Sequence, residues 1–242
     1  MEWQQWGRED PFWGVASWPN KEKDGASPWK EEEFYALGES DFRDFIAHWE
    51  HYGRSRESCL EVGCGTGRMT RQLAKAFDHI YAVDVSQEMI DLARKNACAN
   101  VKFFLVDGIQ LPQRDHAVKA VFSTHVLQHL DDVAIGFSYF REFFRVLDNG
   151  GTLMIHLPIY SLPYETGPLG LFLRGIYKVF RRISGIRADL KRRKGRKMMR
   201  GTPYPMGRLY EFLLSLGFKN IEFRVFPTKA NGKLHSFVFA TK

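Results

Sequence analysis

Residues 60–67 read Leu-Glu-Val-Gly-Cys-Gly-Thr-Gly, a glycine-rich loop between an apolar stretch and a helical pattern. Glycine adopts positive φ angles without strain and lets the backbone approach a ligand closely. The N-terminus of the helix that follows directs N–H groups at that ligand. The next apolar stretch ends at Asp84, whose carboxylate can accept hydrogen bonds from both hydroxyls of a ribose. The loop and Asp84 together predict a binding site for an adenosine-type ligand.

The glycine spacing differs from that of a dinucleotide-binding loop. That fingerprint is G-x-G-x-x-G, whereas this loop reads G-x-G-x-G and continues with Arg68. Glu61 stands two residues before Gly63. A carboxylate at that point repels a pyrophosphate and attracts a cationic amino-acid group. The loop therefore favours an adenosine ligand with an amino-acid end over a dinucleotide.

Short apolar runs alternate with helical patterns on both sides of this loop. The predicted strands cover residues 58–62, 79–85, 101–106, 117–123, 152–157, 220–226 and 234–240. The predicted helices cover residues 31–52, 66–77, 87–97, 133–147 and 206–216. Such alternation indicates βαβ units and a parallel sheet. Only a short loop separates the last two strands, so that pair is expected to be antiparallel.

Five segments in this order resemble the class I S-adenosylmethionine-dependent methyltransferases, in particular the small-molecule, type 11-like enzymes. They are LEVGCGTG (60–67), YAVDVSQEMIDLAR (81–94), VDGIQLP (106–112), VFSTHVLQHLDD (121–132) and RVLDNGGTLMIHLP (145–158). The resemblance implies an α/β fold with a Rossmann-like, doubly wound, seven-stranded sheet. Its last strand is antiparallel and inserts between the fifth and sixth. The implied cofactor is S-adenosyl-L-methionine.

The resemblance also assigns cofactor-binding positions. Asp84 holds the ribose, and Ser86 is the better candidate for the cap of the next helix. Asp107 and Gly108 face the adenine, with a plain turn as the alternative for Asp107. Met89 covers the adenosine or belongs to the core. The full predicted set is Glu61, Gly63, Cys64, Gly65, Gly67, Asp84, Val85, Met89, Asp107, Gly108 and Ser123, with Cys64 acting through its backbone.

Methyl transfer from a sulfonium mainly requires alignment of nucleophile, methyl group and sulfur. A general base is needed only when the nucleophile carries a proton of high pKa, as a hydroxyl does. The candidate bases are His129, His125 and His156, near the ends of the fourth and fifth strands, although a single histidine is more often structural. No Asn/Asp-Pro-Pro-aromatic signature of the methyltransferases that act on amino groups of adenine or glutamine follows the fourth strand. The remaining resemblance is to the broad group of small-molecule methyltransferases, which implies an oxygen acceptor. No cysteine pair has zinc spacing, and we expect no metal.

The positive charge is concentrated in one segment. The chain carries a net charge of +7, but residues 174–200 hold twelve Lys or Arg and one acid, so the remainder is negative. The pattern over 170–186 is amphipathic, and a cationic run follows at 191–197. This segment fits a membrane surface or lipid-linked acceptor, a soluble anionic acceptor, or RNA, and it also fits a solvated loop without a partner. An RNA methyltransferase and a non-catalytic RNA-binding adaptor are the alternative functions.

We divide the chain into four parts: an aromatic-rich arm and helix (1–55), a cofactor-binding core (56–157), a basic lid insertion (158–203), and a helix and hairpin that complete the sheet (204–242). The arm is expected to be irregular because prolines interrupt it. The resemblance implies that the aromatic rings of the arm cover the site, with Trp29, Phe34 and Tyr35 as candidates, and the alternative is that the rings pack on the outside of the core. The N-terminus lacks a secretory pattern and no membrane span is present, so we expect a cytoplasmic location, with peripheral membrane contact through residues 170–200.

Overall fold

The computed structural model describes residues 2–160, 201–230 and 232–242. The prolines predict an irregular arm, but the arm contains two short helices, α1 (Glu2–Glu9) and α2 (Pro11–Val15). Pro11 is the first residue of α2, a position that needs no N–H donor and is therefore compatible with proline. Helix α3 (Glu31–Tyr52) has the predicted bounds and ends at Gly53, whose φ of 100° is favourable only for glycine.

Seven strands form the main sheet in the order β3-β2-β1-β4-β5-β9-β8. The last strand, β9, pairs antiparallel with β5 and β8, which confirms the predicted fold and the insertion of the last strand. The strands are β1 (Ser58–Val62), β2 (His79–Asp84), β3 (Val101–Leu105), β4 (Val118–Ser123), β5 (Leu147–His156), β8 (Lys219–Pro227) and β9 (Leu234–Thr241). The helices between them are α4 (Thr70–Ala76), α5 (Gln87–Lys95), α6 (Val133–Val146) and α7 (Met206–Leu216).

Apolar side chains cover both faces of this sheet. One cluster packs side chains of α3, α4 and α5, such as Phe45, Leu73 and Ile90, against one face. A second cluster packs side chains of α6 and α7, such as Phe140 and Leu209, against the other face. Because both faces are covered, the central strands are mostly apolar, and every residue of β1 is buried. Ligand access is therefore left to the ends of the strands.

Trp49 anchors α3 to the sheet. Its indole is fully buried, and Nε1 donates a hydrogen bond of 3.0 Å to Oγ1 of Thr152 on β5. The ring also stacks on Phe122 of β4, with centroids 5.8 Å apart. These two contacts hold α3 in place on the sheet. Because the arm precedes α3, they also determine where the arm reaches the edge of the sheet.

Two predicted boundaries are wrong. Helix α4 starts at Thr70 rather than at residue 66, because residues 65–69 continue as a turn in which Gly67 N–H donates to the Cys64 carbonyl. Strand β5 starts at Leu147 rather than at residue 152. Gly150 and Gly151, which the sequence predicts to form a turn, therefore lie within the strand. The register between β4 and β5 shifts at Val118, which absorbs the irregularity that this pair introduces.

Most of the predicted basic insertion lies outside the described residues, including the amphipathic segment 170–186 and the cationic run 191–197. At the two ends of the gap, a short parallel pair joins β6 (Ile159–Tyr160) to β7 (Tyr204–Pro205). Tyr204 is fully buried, and its hydroxyl donates to the Leu127 carbonyl at 2.9 Å. Within the described ranges, no helix is long and apolar enough to cross a membrane.

Candidate active site

A cleft opens where β1, β2 and β4 end. Open α/β sheets bind ligands at this edge of the sheet. Eight of the predicted site residues line it: Glu61, Gly63, Cys64, Gly65, Asp84, Val85, Met89 and His125. The cleft therefore brings together the glycine loop, the ribose acid and one candidate base.

The loop requires glycine both for its backbone conformation and for the absence of a side chain. Gly63 and Gly65 have φ angles of 78° and 51°, in the region that other residues rarely adopt. A Cβ on Gly63 would lie 2.1 Å from Cγ2 of Val126, and one on Gly65 would lie 2.7 Å from Cγ2 of Val15. The loop backbone is thus packed closely from two sides, by the segment after β4 and by the N-terminal arm.

Asp84 connects the loop to the second strand. Its Oδ2 accepts a hydrogen bond of 2.8 Å from Gly65 N–H, and its Oδ1 accepts one of 3.0 Å from Ser86 N–H. Burial raises the pKa of this carboxyl, while the two backbone donors lower it. Ser86 caps α5 through its Oγ, which accepts from Met89 N–H. The helix cap is therefore supplied by Ser86, as expected, and the Asp84 carboxylate faces the cleft.

Glu61 is a buried acid at the floor of the cleft. Its Oε2 accepts a hydrogen bond of 2.6 Å from the hydroxyl of Thr70. Burial and the negative charge of Asp84 raise its pKa to about 8, against the lowering effects of the Thr70 hydrogen bond and of Arg68. The carboxyl is therefore protonated at neutral pH and would ionise beside a cationic ligand group.

Several predicted positions support the cleft without lining it. Gly67 packs against Ala93 of α5, where an added Cβ would lie 3.1 Å away. Ser123 donates to the Val62 carbonyl at 2.8 Å, joining β4 to β1. Asp107 lines a shallower neighbouring cavity. The Gly108 carbonyl accepts a hydrogen bond of 3.3 Å from Tyr139, a residue of the cleft wall.

The three candidate bases occupy different places. His125 lines the cleft, with a φ of 58° that is uncommon for residues other than glycine. His156 lies behind it, and its Nδ1 accepts from His125 N–H at 3.4 Å. His129 is not among the lining residues; its ring lies 5.1 Å from that of Trp3. Burial lowers the pKa of His125 and lowers that of His156 to about 3, so both rings are neutral. Asp132 caps α6.

The aromatic arm covers the cleft, but not through the residues that we expected. Among the described residues of the arm, the cleft wall contains Trp3, Gly14 and Val15. Gln4 Nε2 donates to the Val85 carbonyl at 3.1 Å, which docks α1 on the end of β2. The candidates Trp29, Phe34 and Tyr35 belong to the aromatic cluster that packs beneath the arm. Sequence reasoning missed Trp3 and Val15, because the aromatic content of the arm does not show which of its side chains face the cleft.

Arg68 is a further residue that sequence reasoning did not assign. It follows the glycine loop and lines the cleft. Its Nη1 lies 2.7 Å from Oδ2 of Asp41 on α3, and both side chains are almost fully buried. The pair places one guanidinium at the cleft wall with its charge balanced by a buried carboxylate. The proximity of Arg68 to the loop in sequence was the only signal for it.

Residues 60–155 match a family model described as "Methyltransferase domain". Ajmaline N-methyltransferase of Rauvolfia serpentina is 32% identical over 102 residues, which cover 40% of this chain and 34% of that protein. Malonyl-[acyl-carrier protein] O-methyltransferase of Serratia marcescens is 32% identical over 98 residues, covering 40% and 37%. A protein of Mus musculus named probable tRNA methyltransferase 9B is 29% identical over 97 residues, covering 40% and 21%.

Solved structures share the fold over most of the chain. Magnesium protoporphyrin IX methyltransferase from Synechocystis, with bound S-adenosylhomocysteine, superposes with a TM-score of 0.58 at 18% identity and covers 90% of each chain. The methyltransferase SibL in its apo form gives a TM-score of 0.57 at 18% identity, covering 97% of this chain and 62% of SibL.

Residues 60–155 form a methyltransferase domain of the class I S-adenosylmethionine-dependent type, and S-adenosylmethionine is its cofactor. The matches to the curated relatives span about a third of their length or less. The family model covers the glycine loop and the strands that carry the cleft, so it bears on the cofactor side of the site.

Cofactor binding should release a proton from Glu61. The free protein holds this carboxyl protonated at pH 7, and the ammonium group of S-adenosylhomocysteine should stabilise its ionised form. Calorimetric titration in two buffers of different ionisation enthalpy should give about one proton released, with affinity rising as the pH approaches about 8. Glu61→Gln should abolish the release, whereas exposed Glu57→Gln should not. An intact protein that releases no proton would contradict this assignment.

Removal of the Trp3 ring should weaken cofactor binding, because this ring forms part of the cleft wall. Trp3→Ala should raise the dissociation constant for S-adenosylhomocysteine about tenfold, the loss typical of one aromatic contact. Trp18→Ala is the matched control, since Trp18 belongs to the arm but not to the cleft wall. Equal effects of the two substitutions would mean that the arm acts through folding alone.

Proposed function

We propose that this protein transfers a methyl group from S-adenosylmethionine to an oxygen atom of a small-molecule, saccharide or lipid-linked acceptor. The observation that carries the proposal is the cleft itself, in which the buried acid Glu61, two glycines at positive φ and Asp84 converge. Its lining also contains His125, so a cofactor and an acceptor can share one space. Ajmaline N-methyltransferase and the O-methyltransferase rstn1 are among the relatives.

Each end of the cofactor has a distinct partner in this proposal. Glu61 pairs with the ammonium of the methionine end. Asp84 accepts hydrogen bonds from the ribose hydroxyls, because an ionised carboxylate has about four acceptor positions and only two are used by Gly65 and Ser86. Met89 and Val85 supply apolar wall, and the segment with Asp107 and Gly108 lies beside the adenine.

The chemistry requires little more than alignment. The sulfonium is already an activated leaving group, so positioning of acceptor, methyl and sulfur supplies up to roughly 7–11 kcal/mol. A hydroxyl acceptor must also lose its proton. His125 is the candidate base that lines the cleft, and as a neutral imidazole it can accept this proton. His156 holds the His125 backbone from behind, and His129 contacts the Trp3 side of the mouth.

RNA methylation is the second candidate. Three relatives carry the name probable tRNA methyltransferase 9B, from mouse, cattle and human. The cationic run at 191–197 also fits a phosphate backbone, as it fits an anionic membrane surface or a lipid-linked acceptor. The RNA-binding adaptor would bind RNA without transferring a methyl group, so an assay of methyl transfer distinguishes it from both enzymes.

An acceptor screen with methyl-labelled S-adenosylmethionine separates these functions. Phenolic and sugar hydroxyl compounds, lipid-linked saccharides and total tRNA are offered separately, and the label in each acceptor is counted. We expect labelled oxygen acceptors, with turnover lost in Asp84→Ala and kept in Asp78→Ala, an exposed acid at the opposite end of β2. Label confined to tRNA would replace the proposal by the RNA enzyme, and tight cofactor binding without any label would favour the adaptor.

A further inference from the structure

Three histidines from distant parts of the chain meet behind the cleft. His125 follows β4, His156 ends β5 and His235 lies on β9. Their ring nitrogens that could act as ligands all lie within 4.8 Å of one another. The sequence predicts no metal site, because these histidines share no ligand spacing and converge only when β9 pairs with β5.

The separations are close to those of a metal centre. Zinc–nitrogen bonds of about 2.0–2.1 Å in a tetrahedron place neighbouring ligand nitrogens about 3.4 Å apart. Nδ1 of His235 lies 3.2 Å from Nε2 of His156, which already matches one edge of that tetrahedron. The three candidate nitrogens lie within 4.8 Å of one another, so the His125 nitrogen would have to approach the other two by up to about 1.4 Å for all three to bind one ion.

One feature is left unexplained by a purely structural cluster. His125 adopts a φ of 58°, an uncommon backbone conformation that is more frequent at functional sites. The buried Nε2 of His235 has no hydrogen-bond partner among the described residues, but it is the other ring nitrogen, Nδ1, that faces His156, so this Nε2 bears on neither interpretation.

The charged groups that act on the cluster are Asp41, Arg68 and Lys233. Asp41 and Arg68 pair at 2.7 Å and so offset each other, and Lys233 is exposed, so that solvent screens its charge. Ligation through Nε2 of His156 moves its proton to Nδ1, at the cost of the long 3.4 Å contact from His125 N–H.

We propose that His125, His156 and His235 bind a divalent cation of the late first transition row, with Zn²⁺ as the best match. Three imidazoles with one open position form the ligand set of catalytic zinc sites. His125 lines the cleft, so a cation bound to it would lie at the edge of that space. On the proposed function, the cation would bind the acceptor oxygen and make its hydroxyl more acidic, the proton would pass to solvent, and His125 would be a ligand instead of the general base. Cation binding itself does not depend on the acceptor.

Cobalt substitution tests the site without any assay of methyl transfer. The full chain is stripped with a chelator and titrated with Co²⁺, and the visible d–d absorption is followed before Zn²⁺ is added in competition. We expect a saturable band of four-coordinate intensity at about one Co²⁺ per chain, displaced by Zn²⁺. Zn²⁺ should also raise the thermal unfolding midpoint.

Substitutions assign the ligands. His235→Gln and His156→Gln should each abolish the band, whereas His129→Gln and exposed His116→Gln should leave it unchanged. Circular dichroism checks that each variant is folded, and His235→Gln keeps the test valid if buried His156→Gln fails to fold. An intact protein without a saturable band, or a band retained in His235→Gln, would overturn the proposal, and the cluster would then be a hydrogen-bonded core element. Because no cofactor is present, this failure is separate from failure of the acceptor screen.

Discussion

The hydrogen bond from Gly65 N–H to the Asp84 carboxylate holds the site together. It joins the loop after β1 to the end of β2, and it holds an acid in the cleft with its remaining acceptor positions free. The loop can reach this geometry only because Gly63 and Gly65 tolerate positive φ and carry no Cβ. The same lack of side chains lets Val126 and Val15 pack directly on the loop. The backbone conformation of the glycine loop therefore determines the floor of the cleft, the wall that Val126 forms and the roof that Val15 forms.

The arm depends on that constraint. Val15 rests against Gly65, Gln4 binds the Val85 carbonyl, and Trp3 reaches the cleft wall. The cofactor would therefore be enclosed between the sheet edge and the first two helices. Beneath these helices, the aromatic cluster with Trp29 and Phe34 fixes the arm to α3, which Trp49 in turn fixes to the sheet.

The sequence was sufficient to predict the fold and the cofactor side of the cleft, because both depend on local signals. Strand and helix periodicity gave the order of the elements, and the glycine spacing with Glu61 and Asp84 gave the type of ligand. The arm was predicted poorly, since prolines obscured two short helices and no pattern shows that Trp3, rather than Trp29, faces the cleft. His235 was missed for a similar reason. It reaches His156 only through pairing of β9 with β5, a contact between residues 79 positions apart.

Calorimetric titration with S-adenosylhomocysteine tests the central claim most directly. The account predicts a dissociation constant in the micromolar range for the intact protein, loss of binding in Asp84→Ala, and no binding of NAD, because the loop lacks the glycine spacing of a dinucleotide site. An intact protein that does not bind S-adenosylhomocysteine, or that binds NAD instead, would contradict the account. The glycine loop would then be an ordinary turn or a dinucleotide site.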